Sequence, residues 1–271
     1  MSPDAFDRLQ SLMASRAGFR LTRDRMKLAE HRLGPLARRE GYETVDAMLA
    51  SLWARPVASL GWAVIEALLN PETWFRRDRA TFDSFAGELL PALSAARGGA
   101  AVKVWSAGCS TGQEAWSLAI AALDAGFPVE IVATDLSQRA LEKARSGAYT
   151  GFEIQRGLKA ETMLAWFEQA DENWIARPEL RAAVHFVRAN LLDPPADEHR
   201  FDVIFCRHVL GDMEPARRGQ VLENLERRLV DDGCLFLGSE EALDGDSIAF
   251  RPVAGRPGLF VKTPAALRRA A

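Results

Sequence analysis

Long apolar runs are missing from this sequence; none approaches the 18 residues that a membrane-spanning helix needs. The N-terminus lacks the pattern of a secretory signal. Cysteine is scarce. Cys109, Cys206 and Cys234 are scattered, odd in number and without metal-ligand spacing, which argues against a disulfide framework or a metal site and for a reducing compartment. All three read as small buried residues, although Cys109 and Cys206 fall near strand ends that belong to the site described below. No excess of one charge exists either: 34 Lys and Arg against 37 Asp and Glu leave a net charge of −3, which disfavours nonspecific nucleic-acid binding. Internal repeats are absent, and the one biased tract is an Ala/Arg-rich tail after Pro264, expected to fray. These absences point to a cytoplasmic protein with no membrane insertion, no nucleic-acid partner and no metal. What is present is ordinary for a globular chain: 48% hydrophobic and 26% charged residues, enough in 271 residues for one large or two modest domains.

Residues 1 to about 70 read as helical. Phe6, Leu9, Leu12 and Met13 recur at helical spacing. Thr22 is an expected cap for a second helix, Pro35 an expected kink or break in it, and Gly41 an expected C-cap. Val45, Met48, Leu49 and Leu52 mark another amphipathic segment. The basic cluster Arg23, Arg25, Lys27, Arg32, Arg38 and Arg39 reads as a solvated helix face or as a docking surface for an acidic partner. The stretch 70–78, Asn-Pro-Glu-Thr-Trp-Phe-Arg-Arg-Asp, reads as an ordered linker, and its paired arginines either cover apolar surface with their stems or reach a carboxylate.

The chain is organised around residues 102–117. A short apolar run gives way to a turn of small residues with two glycines and then to an apolar-periodic segment: strand, tight turn, helix start. Gly108 permits positive φ, Gly112 permits close packing where the helix begins, and the helix start offers free N–H donors. Gln113 and Glu114 stand where a phosphate-binding P-loop requires Lys and Ser or Thr, and the spacing Gly108 to Gly112 does not fit a dinucleotide fingerprint. An acid in the first helical turn suits a ligand without phosphates, such as S-adenosylmethionine (SAM); a plain strand–helix turn accounts for the two glycines equally well.

From residue 100 strands and helices alternate, the signature of a parallel sheet with helices on both faces. The pattern predicts strands at 102–106, 129–134, 184–188, 202–206 and 233–238, then an antiparallel pair near 248–252 and 258–262. Asp135 closes the second strand, 23 residues beyond Gly112, where an acid holds a ribose diol in Rossmann-like sites; it is also an expected helix cap. Asn190-Leu191-Leu192 and Cys206-Arg207-His208 follow later strands, and His208 reads as a packed or hydrogen-bonded residue rather than a catalyst. Residues 151–183 interrupt the alternation, with Leu158, Met163, Leu164 and Phe167 predicting a helix and Trp174-Ile175-Ala176 a short strand.

Six stretches, in this order, resemble the chemoreceptor glutamate methyltransferases of bacterial chemotaxis, the CheR family: 71–78, 105–114, Ala133-Thr134-Asp135, 152–158, Asn190-Leu191-Leu192, and 201–207. The resemblance implies an α/β fold in which a helical N-terminal receptor-docking domain (1–70) and a linker (71–99) precede a Rossmann-like class I SAM-dependent methyltransferase domain (100–271) with a small inserted subdomain at about 151–183. It implies methyl transfer from SAM to glutamate side chains on the cytoplasmic helices of a methyl-accepting chemotaxis receptor, yielding glutamyl methyl esters and S-adenosylhomocysteine (SAH) in adaptation. It further implies that Thr73 and Arg77 contact SAM and that Ala107, Gly108 and Gly112 form the cofactor loop. In the same scheme Glu114 takes the methionine amino group and Asp135 the ribose hydroxyls. Asn190 and Leu191 border adenine, Cys206 and Arg207 line the wall by the reaction centre, and the segment with Arg25, Arg32 and Arg38 docks on the receptor.

The chain departs from the family at positions that bear on the site. Arg76 replaces a Phe, His208 an Asn, and Asp212 the Tyr beside the transferred methyl. Arg77 and Asp212 are therefore the expected catalytic-site residues, Arg77 orienting the acceptor carboxylate. An Asp at 212 repels an incoming glutamate unless it is protonated or paired, with Arg76 or Arg77 as expected partners. Two alternatives stay open: a SAM-binding module without glutamate methylation, and a methyltransferase with another acceptor. The insert has only a weak strand pattern, so dependence on a receptor tail peptide is not expected.

Overall fold

The computed structural model describes residues 1–194, 199–243, 245 and 247–264; the tail expected to fray lies outside them. The chain divides into two compact units, Met1–Asn70 with Asp212–Arg218, and Pro71–Gly211 with Gly219–Ala271.

The first unit is helical. Helix α1 (Pro3–Ala17) starts at Ser2, whose side chain accepts from the Ala5 N–H, with Pro at its first position, and stops at left-handed Gly18. Its spacing of Phe6, Leu9 and Met13 buries one face completely. Thr22 caps no α-helix; it precedes a 3-10 turn (Arg23–Arg25) that leads into α2 (Met26–Arg39). Helix α2 is not broken at Pro35. Proline in a helix interior costs about 3 kcal/mol, and buried Leu33, Leu36 and Ala37 on both sides of it anchor the helix to the core. Gly41 turns left-handed just past the helix end, its N–H bonded to the Arg38 carbonyl. Helices α3 (Val45–Ala54) and α4 (Ala58–Leu68) complete the four. The segment 212–218 joins them through Arg20 N–H to the Asp212 carbonyl and Glu214 N–H to the Gly18 carbonyl, both 2.8 Å.

The second unit opens with the stretch read as a linker. After Phe75 come α5 (Arg79–Ser84), a π turn (Phe85–Leu89) and α6 (Leu90–Ala96). Phe75, Phe82, Phe85 and Leu90 are fully buried in the core of this unit, and each contributes roughly 1.5–3 kcal/mol by leaving water. Residues 71–99 therefore fold with the sheet.

The alternating segments follow as β1 (Val102–Ala107), α7 (Gln113–Asp124), β2 (Val129–Asp135) and α8 (Gln138–Ser146). The insert contains β3 (Ala148–Thr150), α9 (Gly151–Gln155), α10 (Ala160–Trp166), β4 (Phe167–Ala170), β5 (Asn173–Ala176) and α11 (Pro178–Ala182). The main sheet resumes with β6 (Val184–Arg188), β7 (Phe201–Phe205), α12 (Pro215–Arg228), β8 (Leu229–Phe236), β9 (Phe250–Pro252) and β10 (Leu259–Lys262). Its seven strands run β6-β2-β1-β7-β8-β10-β9; the first five are mutually parallel and the last two antiparallel. The chain moves outward from β1 to β2 and β6, then returns to the other side of β1 as β7. That reversal opens a crevice at the carboxyl ends of β1 and β7, the place where such sheets bind ligands.

Two expectations fail locally. Neither Leu158 nor Phe167 is on a helix of the insert: α9 ends at Gln155, α10 spans Ala160–Trp166, and Phe167 opens β4, buried edge-on against Phe75 at 5.6 Å between ring centroids. The insert also forms a three-stranded antiparallel sheet, β3-β5-β4, rather than one short strand. Strand β8 starts at Leu229 because that residue pairs with Phe201.

Candidate functional site

The turn after β1 is fixed from both sides. Gly108 and Cys109 donate their N–H groups to the Thr134 carbonyl at the end of β2, 2.8 and 2.9 Å away. A side chain at Gly108 is excluded twice, by φ +83° and by Val209 Cγ2 only 2.6 Å from where a Cβ would sit. From the insert, Tyr149 donates its hydroxyl to the Thr111 carbonyl at 2.6 Å and accepts from Trp116 Nε1 at 2.9 Å. These contacts fix the backbone of the turn between β1 and α7.

Two carboxylates flank this turn. Asp135 accepts Ser110 N–H on one oxygen and Ser137 N–H on the other, both at 2.8 Å. Ser137, not Asp135, caps α8, by accepting from the Ala140 N–H. Glu114, in the first turn of α7, accepts from Ser106 Oγ at 2.8 Å and from Arg207 Nη1 at 3.1 Å. Arg207 follows β7, and its side chain is 1% exposed. Its Nη2 donates to the Arg77 carbonyl and to Asp78 Oδ2, each at 2.7 Å.

The stretch 71–78 is bonded onto this frame. Ser110 Oγ donates to the Pro71 carbonyl at 3.0 Å, and Arg76 N–H to Ser117 Oγ at 2.9 Å. Arg77 lies with its guanidinium carbon 4.4 Å from the Trp74 ring centroid and Arg156 of the insert at 4.0 Å, while Arg77 Nη1 donates to the Glu72 carbonyl. Thr73 is half-buried. Arg76, Asp78, Ser110 and His208 all have φ between +50° and +59°; such residues cost of order 1–3 kcal/mol each and persist where their surroundings over-determine them.

The residues expected to border adenine are held by local bonds and by α12. Asn190 Oδ1 accepts Leu192 N–H at 3.2 Å, and Asn224 Nδ2 on α12 donates to the Leu191 carbonyl at 3.0 Å. Cys206 is buried beside the strand ends; burial pushes its thiol well above the ordinary range, with Glu241 and Glu114 adding to the shift. Burial does the same to Cys109, reinforced by Asp135 and Glu114, so neither thiol is a ready nucleophile.

Of the residues expected at the site, Thr73, Arg77, Ala107, Gly108, Gly112, Glu114, Asp135, Asn190, Leu191, Cys206 and Arg207 all belong to the second unit. Asp212 groups with the helical unit instead and pairs with Arg25 at 3.6 Å. The expected partners are engaged elsewhere, Arg76 with Asp83 at 2.6 Å and Arg77 with Trp74 and Glu72. Among the docking residues, Arg32 donates to the Leu68 and Leu69 carbonyls at the end of α4, whereas Arg38 is exposed. Sequence reasoning gave no role to Asp78 or Glu241, although Asp78 directly follows Arg77 in the linker motif. Among the described residues no cluster of His, Cys, Asp and Glu is arranged to hold a metal ion, and no helix is long and apolar enough to cross a membrane.

The donor set fits one class of cofactor. One carboxylate suits an ammonium, a second suits a diol, the two glycines of the loop between them have no room for a Cβ, and buried Arg207 Nε has no partner among the described residues. An orphaned buried donor is costly, and a ligand carboxylate would relieve it. That combination matches SAM, which carries an ammonium, a carboxylate and a ribose diol but no phosphate.

Comparison with known proteins agrees. Residues 71–259 match the family described as CheR methyltransferase, SAM binding domain. The chain is 30% identical over 264 residues to chemotaxis protein methyltransferase Cher2 of Pseudomonas putida, covering 94% of this chain and 96% of that one. It is 31% identical over 268 residues to chemotaxis protein methyltransferase 1 of Pseudomonas aeruginosa, covering 95% and 97%. To the chemotaxis protein methyltransferase of Vibrio parahaemolyticus it is 33% identical over 258 residues, covering 92% and 93%. The strand-end carboxylates, the glycine turn and these likenesses converge: the chain belongs to the CheR methyltransferase family, with SAM as its cofactor.

Proposed function

We propose that this protein transfers the methyl group of SAM to glutamate side chains on the cytoplasmic helices of a chemoreceptor, in chemotactic adaptation in the cytoplasm. The observation that carries the reading is the pair Glu114 and Asp135, two carboxylates oriented by hydrogen bonds on either side of a glycine turn, in a chain similar along nearly its full length to chemotaxis methyltransferases.

When bound, SAM supplies an electrophilic methyl on a sulfonium. Glu114 holds its ammonium and Asp135 its ribose hydroxyls. Asn190 and Leu191 border the adenine, and Ala107, Gly108 and Gly112 allow close approach. Thr73, Arg77, Cys206 and Arg207 complete the wall. A glutamate has a solution pKa of about 4.3, so near neutral pH the acceptor is already a nucleophile and no general base is needed. Arg77 orients the acceptor carboxylate; alignment of this kind supplies roughly 7–11 kcal/mol in favourable systems. The products are a neutral glutamyl methyl ester and SAH.

The division of labour proposed is receptor docking by residues 1–70, with Arg38 and Arg25 as contacts, and chemistry by the rest. Arg32 is committed to the α4 carbonyls and contributes by holding that helix end. A second reading, SAM binding without glutamate methylation, is favoured by Asp212 at the position of an expected Tyr. Incubation with methyl-labelled SAM and a receptor cytoplasmic fragment separates them. Label on the fragment that mild alkali releases as methanol supports the first reading. No transfer supports the second, and alkali-stable label supports another acceptor.

A further inference from the structure

We infer that His208 is a positioning residue for the cofactor: its ring locks Asp78 to the end of β7 and so keeps Arg207 from closing on Glu114. The inference rests on the SAM reading of Glu114. His208 Nε2 lies 2.8 Å from Asp78 Oδ2. A carboxylate only accepts, so the ring nitrogen carries the proton.

Both partners stand in the left-handed region, at φ +59° and +57°, and both are pinned. Glu241 accepts the His208 N–H at 2.7 Å and the Gly238 N–H at 2.8 Å on one oxygen, and the Gly211 N–H at 3.1 Å on the other. Gly238 leaves space for the ring; a Cβ there would lie 2.9 Å from His208 Cε1 and Nδ1. The result is a continuous chain of contacts, Glu241 to His208 to Asp78 to Arg207 to Glu114.

Arg207 is the shared element. It gives Nη1 to Glu114 and Nη2 to Asp78 and the Arg77 carbonyl. A guanidinium facing a single carboxylate prefers to bind it with both nitrogens. With Asp78 held by His208, Arg207 divides itself between two acids, and Glu114 retains capacity for an incoming ammonium. Release of Asp78 lets Arg207 take Glu114 bidentately, competing with the ligand. The turn carrying Arg77 loosens with it, since the same nitrogen holds that carbonyl.

The test uses calorimetric titration of SAH into the full chain and two variants. His208→Asn tolerates the left-handed backbone, but its amide ends where Nδ1 sits, short of Asp78. His208→Gln extends an amide donor toward the position of Nε2. SAH binding is expected to weaken about tenfold in the Asn variant, the loss of one charge-assisted hydrogen bond, and to stay within about threefold of the unaltered protein in the Gln variant. In methyl transfer the KM for SAM is expected to follow the dissociation constant while kcat changes less. An Asn variant that binds as tightly as the unaltered protein, or a Gln variant as weak as the Asn one, overturns the inference alone. Absence of SAH binding by the unaltered protein overturns the cofactor reading and this inference with it.

Discussion

Arg207 and Glu114 form an ion pair inside the second unit, 3.1 Å between Nη1 and Oε2, with side chains 1% and 13% exposed. The two residues are 93 apart in sequence, so the pair joins the end of β7 to the start of α7. Removing one member of a buried pair strands the other. Arg207→Met is expected to destabilise the protein by about 3 kcal/mol, read as a lower urea midpoint at unchanged slope. A stability within about 0.5 kcal/mol of the unaltered protein would mean that Glu114 and Asp78 do not depend on Arg207.

Gly108 tests the loop. Gly108→Ala combines a left-handed φ with overlap on Val209, and a loss of about 1–3 kcal/mol is expected. Val209→Ala in the same chain removes the overlap but not the backbone strain, so part of the loss, about 1 kcal/mol, remains. Full recovery would show that φ is not a constraint there.

Asp78 sets a pH dependence. Burial pushes its carboxyl up, but the His208 ring and the Arg207 guanidinium outweigh burial and hold it below the usual carboxylate range. A carboxyl depressed by folding contributes stability that is complete above the unfolded value of about 3.9 and is lost as pH falls through the folded value. The stability difference between the unaltered protein and Asp78→Asn should therefore shrink as pH falls below about pH 4. Urea unfolding at each pH checks this; a difference that grows in acid would reverse the assigned sign.

Arg77 tests the chemistry. Its guanidinium rests on Trp74, so Arg77→Ala removes a stacked donor from the linker without opening the core. A drop in kcat/KM of about 100-fold is expected, the scale of losing one donor to a reacting group, with the urea midpoint nearly unchanged. Arg77→Lys should not restore activity, because an ammonium lacks the planar fork. Full turnover in the Ala variant would show the residue to be misassigned.

The sequence disclosed what is local. An apolar run, two glycines and an acid two positions past the helix cap are contiguous, so the β1–α7 turn and Glu114 were legible, and Asp135 lay at a readable distance beyond them. Partners far apart in sequence left no such mark. Tyr149 buttresses the turn from 38 residues away, and His208 meets Asp78 across 130. Phe167 fits a helical spacing, yet it is taken by β4 because Ala176 and the Phe75 ring are there to receive it. Pro35 signals a break that buried neighbours override. Arg32 belongs to a basic cluster by sequence, but the open carbonyls at the end of α4 claim it.

The seat of the cofactor is tested most directly by one titration, SAH into the unaltered protein, Glu114→Gln and Asp135→Asn, followed by heat. Saturable binding with a dissociation constant on the order of 1 μM is expected for the unaltered chain, with a loss of about tenfold or more in each variant. No heat at SAH concentrations near 1 mM, or variants that bind as the unaltered protein does, would contradict the account.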